Sequence, residues 1–100
     1  FILQCLYLIH ADKKPYTLSS YRTDAGAEVD LVIDTGDKLL AIECKYSQRV
    51  TESALSGLRS FAAIADKPTE KYVVHLGQTR QKFSQGELAV PYQEFLLEYL

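Results

Sequence analysis

Cysteine is scarce in this chain, which has only Cys5 and Cys44 among its 100 residues. Two cysteines are too few for a disulfide framework, and they lack the spacing of a zinc site. A reducing, intracellular setting is the default for such a sequence, so we expect the protein in the cytoplasm. We interpret both cysteines as small buried hydrophobic residues rather than as catalytic thiols.

Methionine is absent, and the chain opens abruptly on the apolar run FILQCLYLI. We therefore interpret residues 1–100 as a single domain and as an N-terminally truncated fragment of a larger protein. The apolar run is too short for a membrane span, and the charged residues Asp12, Lys13 and Lys14 follow it closely. It also lacks the basic start and the cleavage site of a signal peptide.

An excess of positive charge is also missing, because the formal net charge is −2 at pH 7. Proteins that bind nucleic acid without a partner usually carry a broad basic field. This balance argues against a free-standing DNA-binding protein. Contact with DNA would need local clustering of basic residues or another part of a larger chain.

Residues 27–46, AEVDLVIDTGDKLLAIECKY, predict a β-hairpin because apolar and polar residues alternate with a period of two. Thr35, Gly36 and Asp37 supply the turn. Pairing Asp34 with Leu39 or a neighbour would place Asp30 next to Glu43. The alternation assigns one face to Val29, Leu31 and Ile33 and the other to Glu28, Asp30, Val32 and Asp34.

Three charged residues, Asp30, Glu43 and Lys45, then share a half-buried face with apolar side chains of the hairpin. Ionised groups are tolerated away from water when they are paired or when they coordinate a cation. Two interpretations remain open at this point. Lys45 could bridge two carboxylates without a metal, or a hard cation such as Mg²⁺ could relieve the repulsion between the carboxylates.

The segments around the hairpin predict an α/β core. The run 1–9 suggests the end of a helix, although a strand is also compatible, and 16–23 suggests a strand antiparallel to the hairpin. Helix 51–65, capped by Thr51, would connect the hairpin to a parallel buried strand at 71–76 by a right-handed crossover. An edge strand at 88–90 and a closing helix at 92–100 would follow.

Helix 51–65 shows a clear division between an apolar and a polar face. Residues at helical spacing that should face the sheet are Ala54, Leu55, Leu58, Phe61, Ala62 and Ala65. Residues that should face outward are Glu52, Ser56, Arg59 and Ser60.

The pattern formed by Asp30, a dozen further residues, and then Glu43 and Lys45 resembles the signature of the PD-(D/E)XK nuclease superfamily, with Val29 in place of its proline. More narrowly, YRTDAGAEVDLVID followed by KLLAIECKYSQRVTESALSGLRSFA resembles a C-terminal domain of unknown function found in bacterial and archaeal AAA+ ATPases. The resemblance implies a restriction-endonuclease-like fold. Its mixed central sheet, with an antiparallel hairpin plus a parallel strand, would be flanked by helices.

The resemblance also implies a chemistry. Asp30 and Glu43 would bind Mg²⁺, with Mn²⁺ as a substitute, and the backbone carbonyl of Cys44 would be a further ligand. Lys45 would stabilise the attacking water or the charge on the phosphate during phosphodiester hydrolysis. The implied partners are DNA and the rest of the chain's own ATPase. No phosphate-binding loop of the Gly-x-x-x-x-Gly-Lys type occurs, so we do not expect this chain to bind ATP.

One expected part of such a site is missing from the visible sequence. Active members usually carry an acidic residue on the helix before the first core strand, and in FILQCLYLI the only polar candidate is Gln4. Two explanations remain open: the acid lies before Phe1 in the larger protein, or it is absent. Its absence would favour the alternative function, a catalytically degenerate module that serves as a DNA- or protein-binding platform. In that case the charged cluster would be a structural ion pair.

Several further residues are candidates for accessory roles. Glu28 and Arg49 are candidate accessory site residues, with Glu28 favoured as a supporting or structural group. Other side chains could contact phosphates or bases, but a solvated or core role is the simpler interpretation: Arg22, Arg59, Arg80 and Lys82 among the basic residues, and Tyr21 and Tyr46 among the aromatic ones. His10 and His75 lack zinc spacing, and His75 is interpreted as a core histidine.

Overall fold

A computed structural model describes residues 1–45 and 52–99 of the chain. In chain order its elements are α1 (Ile2–Ala11), β1 (Thr17–Arg22), β2 (Glu28–Asp34), β3 (Leu39–Cys44), α2 (Glu52–Ile64), β4 (Thr69–His75), β5 (Gln81–Lys82), β6 (Leu88–Pro91) and α3 (Tyr92–Tyr99). The predicted α/β class is confirmed, and so is the helical interpretation of the first apolar run. The proposed cap Thr51 lies outside the described residues.

The strands form one mixed sheet in the order β1-β2-β3-β4-β6-β5. β1, β2 and β3 pair antiparallel, and β4 pairs parallel to β3, as the crossover rule predicts. The prediction that 88–90 is an edge strand is wrong, because β6 lies between β4 and β5. Gly86, with φ +88°, turns the chain between β5 and β6, so the two-residue β5 takes the edge.

The hairpin of β2 and β3 has the predicted register, with Asp34 opposite Leu39. In the turn, the Thr35 amide donates to the Lys38 carbonyl at 3.0 Å, and the Gly36 amide donates to Asp34 Oδ1 at 2.8 Å. Gly36 has a φ of +98°, a conformation that side chains rarely adopt. The turn chemistry therefore fixes which residues of the two strands face each other.

β2 carries a β-bulge that the alternating sequence does not reveal. Ser19 of β1 pairs with Val32 and Tyr21 pairs with Val29, so β2 has one extra residue over this interval. An extra residue reverses the alternation beyond it. Val29 therefore packs on the same face as Val32, and the prediction that Val29 shares a face with Leu31 and Ile33 is wrong.

The sheet has a helical layer on each face. Against α1 and α3, the buried residues are Cys5, Ile9, Leu31, Ile33, Leu40, Ile42, Tyr72, Val74, Val90 and Phe95. Against α2, they are Val29, Val32, Leu39, Ala41, Leu55, Leu58, Val73 and Ala89. Two packed faces explain why the central strands read as nearly continuous apolar runs. Within the described ranges, no helix has the length and apolar character that crossing a membrane requires.

Candidate functional site

Asp30 and Glu43 lie side by side at the point where β2 stops pairing with β3. The last paired residues are Leu31 and Ile42. Just beyond them, the Cys44 amide donates to Asp30 Oδ2 at 2.9 Å, and the Asp30 amide donates to Glu43 Oε1 at 3.2 Å. The structure thus brings together the two carboxylates that the hairpin register predicts to be neighbours.

The bulge in β2 contributes to this arrangement. Opposite a single β1 residue between Ser19 and Tyr21, β2 places both Asp30 and Leu31. Bulges occur frequently next to active sites, where they change the direction of a side chain. Here the Asp30 carboxylate accepts a hydrogen bond from the Cys44 amide. This side-chain contact joins β2 to β3 just beyond their last backbone pair.

The site faces α2, and the thiol of Cys44 faces the opposite layer. Glu43 follows Ala41, which packs under α2, by two residues, whereas Cys44 packs against the α1 and α3 cluster. Burial, followed by the charges of Asp30 and Glu43, raises the pKa of the Cys44 thiol to about 11. Burial also raises the pKa of Cys5 to about 12. Both thiols are therefore unreactive near neutral pH.

Glu43 titrates in an abnormal range. Its pKa rises from 4.5 to about 8, first because the carboxyl group is removed from water and then because it bonds to Asp30 and feels the charge of Asp30. The charge of Lys45 lowers the pKa of Glu43 and is the smallest of these contributions. The two acids are thus an unfavourable pair that one lysine only partly neutralises.

Lys45 lies at the carboxyl end of β3, where β3 and β4 run parallel. Its amide donates to the Val74 carbonyl at 2.9 Å, which extends the ladder one residue past Cys44. In open α/β sheets, ligands bind outside the carboxyl ends of parallel strands. The charged residues therefore lie at the edge of the sheet where the fold is suited to hold a ligand.

The donor set fits a divalent cation only in part. Asp30 and Glu43 supply carboxylate oxygens, which suit Mg²⁺, an ion that keeps several of its waters when bound to protein. In the described segments, no group of three or more His, Cys, Asp or Glu side chains could hold a metal ion. The pair can therefore supply two protein ligands, with waters, a backbone carbonyl or a phosphate completing the coordination.

Gln4, the polar candidate on the first helix, lies away from this site. The helix α1 packs on the sheet face opposite α2, through Cys5 and Ile9. Gln4 is exposed and lines a surface groove with Tyr7, Leu8 and Leu96. It therefore cannot replace the missing third acid at Asp30 and Glu43.

Glu28, one of the two candidate accessory residues, does not join the pair. Because the bulge moves Val29 to the α2 face, the alternation that put Glu28 on the face of Asp30 is broken. The Glu28 carboxylate lies 3.6 Å from Arg22 Nη2, in an exposed pair on the β1 and β2 strands. Arg49 and Tyr46 lie outside the described residues.

The other candidates contact protein groups. Arg80 donates to Glu94 at 3.0 Å and also to Glu98. The Tyr21 ring packs edge-on against Phe61, with centroids 5.1 Å apart, which is a rim-of-core position rather than a free stacking surface. For these residues the structural interpretation from the sequence is the better one.

A buried ion cluster holds α2 to the sheet, and no sequence pattern predicted it. Glu87 is fully buried. Arg59 donates two hydrogen bonds to its carboxylate, from Nε to Oε2 at 2.8 Å and from Nη2 to Oε1 at 3.1 Å. Lys71 Nζ lies 3.4 Å from the same carboxylate, and the Gln85 amide donates to it at 3.2 Å. The prediction that Arg59 faces outward is wrong, because its long side chain reaches back to a buried partner.

Gly57 marks the closest approach of α2 to the sheet. A Cβ atom at this position would overlap the carbonyl oxygen of Glu28 and lie 3.0 Å from its nitrogen. Glu28 is two residues before Asp30, so this contact sets the height of α2 above the site strand. A lone glycine inside a strong helical pattern is the one signal in the sequence that indicates such a contact.

Replacing Glu43 with glutamine should stabilise the metal-free protein at neutral pH. Folding raises the pKa of this carboxyl group, so its ionisation costs more in the folded protein than in the unfolded one. The contribution of Glu43 to stability is therefore complete below pH 4.5 and is lost as the pH rises through about 8. Glu43→Gln removes that loss, so we expect about 1–2 kcal/mol of added stability at pH 8 and little change at pH 4. Urea denaturation in EDTA at the two pH values measures this; equal effects at both would contradict it.

Comparison with known proteins gives a family but no activity. No curated protein matches the chain. A family model described as "Domain of unknown function (DUF4143)" matches residues 1–95, which include every element up to the first half of α3. The chain therefore belongs to the family described as Domain of unknown function, DUF4143.

Proposed function

We propose that this domain is a restriction-endonuclease-like module of the PD-(D/E)XK type that hydrolyses phosphodiester bonds in DNA with Mg²⁺. The single observation that carries the proposal is the contact between Asp30 and Glu43 beside Lys45, at the carboxyl end of a parallel strand pair. Two acids forced together in a half-buried position are costly to the fold. A bound cation would offset that cost.

The residues have distinct roles in this proposal. Asp30 and Glu43 hold the cation, and the backbone carbonyl of Cys44 is a further candidate ligand. A cation held there would supply positive charge that polarises the phosphate and lowers the pKa of a water. Glu43 is ionised when it serves as a ligand, so it gives up the proton that its raised pKa favours in the free protein. Lys45 places positive charge beside the phosphate, where negative charge grows during the reaction.

The setting of the domain is part of the proposal. The resemblance to C-terminal domains of AAA+ ATPases supports a role in which ATP hydrolysis elsewhere in a longer prokaryotic protein is coupled to DNA cleavage here. The remainder of that ATPase chain would be the main protein partner, and the cytoplasm would be the compartment.

A second function, a DNA- or protein-binding platform without catalysis, is favoured by one specific observation. The described residues supply two acids at the site rather than three, and Gln4 lies on the other side of the sheet. In this alternative, Asp30, Glu43 and Lys45 form a structural ion cluster, and no phosphodiester bond is broken.

A cleavage assay separates the two functions. Linear and branched DNA incubated with the protein should be cut in Mg²⁺ or Mn²⁺ and left intact in EDTA. Asp30→Asn and Lys45→Met should each lower the rate by about 100-fold or more, because they remove a ligand and a transition-state charge. If the folded protein leaves DNA intact in both metals, the nuclease function is contradicted and the non-catalytic binding platform is the remaining proposal.

Matched control variants guard against a contaminating nuclease. Asp37→Asn removes a carboxylate from the exposed turn of the same hairpin, and Lys82→Met removes an exposed ammonium group from β5. Both controls should cut DNA at the parental rate. If the site variants and the control variants all cut equally well, Asp30 and Lys45 are not the source of the activity.

A further inference from the structure

A histidine lies next to the proposed site on the neighbouring strand. The parallel register of β3 and β4 pairs Glu43 with Val73 and Cys44 with Val74, and the Lys45 amide continues the ladder to the Val74 carbonyl. Val73 packs under α2, so strand alternation places His75, two residues later, on the α2 face. His75 therefore ends β4 on the same sheet face as Glu43, beside Lys45.

The ring of His75 is fixed in one protonation pattern when neutral. His75 is buried, with 3% of its surface exposed, and its Nδ1 accepts the Gly77 amide at 2.9 Å. Because Nδ1 is an acceptor, the proton of the neutral ring lies on Nε2. Among the described residues no acceptor is recorded for that Nε2–H group. The contacts within the described residues therefore account for Nδ1 alone.

The order of groups across the sheet edge suits a phosphodiester. β2 and β3 supply the acids Asp30 and Glu43, β3 supplies Lys45, and β4 supplies His75. Neighbouring strands are about 4.8 Å apart, so one phosphate group could reach both a cation held by side chains of one strand and a hydrogen-bond donor on the next. A phosphate oxygen also accepts hydrogen bonds from neutral donors such as an imidazole N–H.

We propose that His75 is a substrate-binding residue of this site, whose Nε2–H donates to a non-bridging oxygen of a DNA phosphodiester that Lys45 and a cation at Asp30 and Glu43 would hold. The inference rests on the proposed function and adds a residue that the motif does not contain. His75 takes no part in holding the cation. Losing it should weaken the binding of substrate and leave the affinity for metal unchanged.

Two substitutions of His75 distinguish the role of Nδ1 from the role of Nε2. His75→Asn keeps an acceptor near the Gly77 amide and removes the donor at the Nε2 position, whereas His75→Gln keeps a donor near the Nε2 position and removes the Gly77 acceptor. We expect His75→Asn to raise KM for DNA by about 10-fold or more, since a hydrogen bond to a charged group is lost. His75→Gln should retain most of the activity. The reverse order would show that His75 only supports the turn at Gly77.

A ring-nitrogen NMR titration tests the contact without cleavage. The chain has only two histidines, and the exposed His10 on α1 is an internal control. Ca²⁺ is added first and followed through the amides of Asp30 and Cys44, and then thymidylyl-(3′,5′)-thymidine is added as the probe. We expect the His75 Nε2 resonance to shift on addition of the dinucleotide, with His10 unchanged.

The outcomes are distinguishable. If Ca²⁺ shifts the Asp30 amide and the dinucleotide leaves His75 unmoved, or moves both histidines alike, the role of His75 is overturned while the metal site stands. If Ca²⁺ does not act at Asp30 and the protein does not cut DNA in Mg²⁺, the proposed function fails and the role of His75 fails with it.

Discussion

Replacing Glu87 with glutamine should lower the free energy of unfolding by about 3 kcal/mol. Removing one member of a buried ion cluster leaves the other charges without compensation, which is more costly than losing an exposed ion pair. Arg59 and Lys71 both contact Glu87, and their side chains are only 22% and 14% exposed. Urea denaturation at pH 7 measures the effect. A loss below about 0.5 kcal/mol would mean that the cluster behaves as a surface ion pair.

The same variant should change the response to acid. Arg59, followed by the local amide and Lys71 contacts, holds the pKa of Glu87 at about 2, below its ordinary 4.5. A carboxylate with a depressed pKa contributes stability that is complete above its unfolded pKa and is lost as the pH falls from about 4.5 to 2. Glu87→Gln should therefore flatten the acid side of the stability profile. Glu94→Gln, which changes an exposed partner of Arg80, is the control and should retain that acid slope.

Replacing Gly57 with alanine should destabilise the fold by about 2–3 kcal/mol, although alanine is the better helix former. The added methyl group meets backbone atoms of Glu28, which cannot rotate away as a flexible side chain can. Either α2 must rise from the sheet or β2 must shift. Because β2 carries Asp30, we expect weaker metal binding as well as lower stability.

Ser60→Ala is the matched control for Gly57→Ala, because Ser60 lies on the exposed side of the same helix. Its effect should stay within about 0.5 kcal/mol. Thermal and urea denaturation of the two variants measure the contrast. If Gly57→Ala is as stable as the parent, α2 is free to move over β2, and the close contact does not position the site strand.

The hairpin could be predicted in detail because its signals are local. Alternating apolar residues define the strands, and the Asp34 to Asp37 turn fixes the register that pairs Asp34 with Leu39. Continued by one residue, that register predicts Asp30 beside Glu43. The parallel strand β4 could also be predicted, because a right-handed crossover through α2 leaves few other arrangements.

Other features depend on contacts between distant parts of the chain. The bulge at Asp30 and Leu31 arises from pairing with β1, and the alternation of residues in β2 does not predict it. Arg59 appears polar and outward on a helical wheel, yet its partner Glu87 lies 28 residues later in the sequence. The placement of β6 inside the sheet depends on β5, which is only two residues long. Sequence patterns that describe one element at a time cannot reveal such pairings.

Some residues of the candidate site could likewise be predicted from local sequence, and others could not. Asp30, Glu43 and Lys45 could be found because they belong to one hairpin and carry charges where apolar residues dominate. His75 reads as a core residue in YVVHL, and only the strand register places it beside Lys45. The position of Gln4 could not be inferred either, because it depends on which face of the sheet α1 covers.

Calorimetric titration of Mg²⁺ and Mn²⁺ into the protein, beside Asp30→Asn and Asp37→Asn, tests the central claim most directly. Asparagine can still accept the Cys44 amide, so Asp30→Asn should fold while losing a charged ligand. We predict binding with a Kd of about 1 mM or tighter in the parent and in Asp37→Asn, and at least about tenfold weaker binding in Asp30→Asn. No binding in the parent at millimolar metal, or equal binding in all three proteins, would contradict a metal site at Asp30 and Glu43.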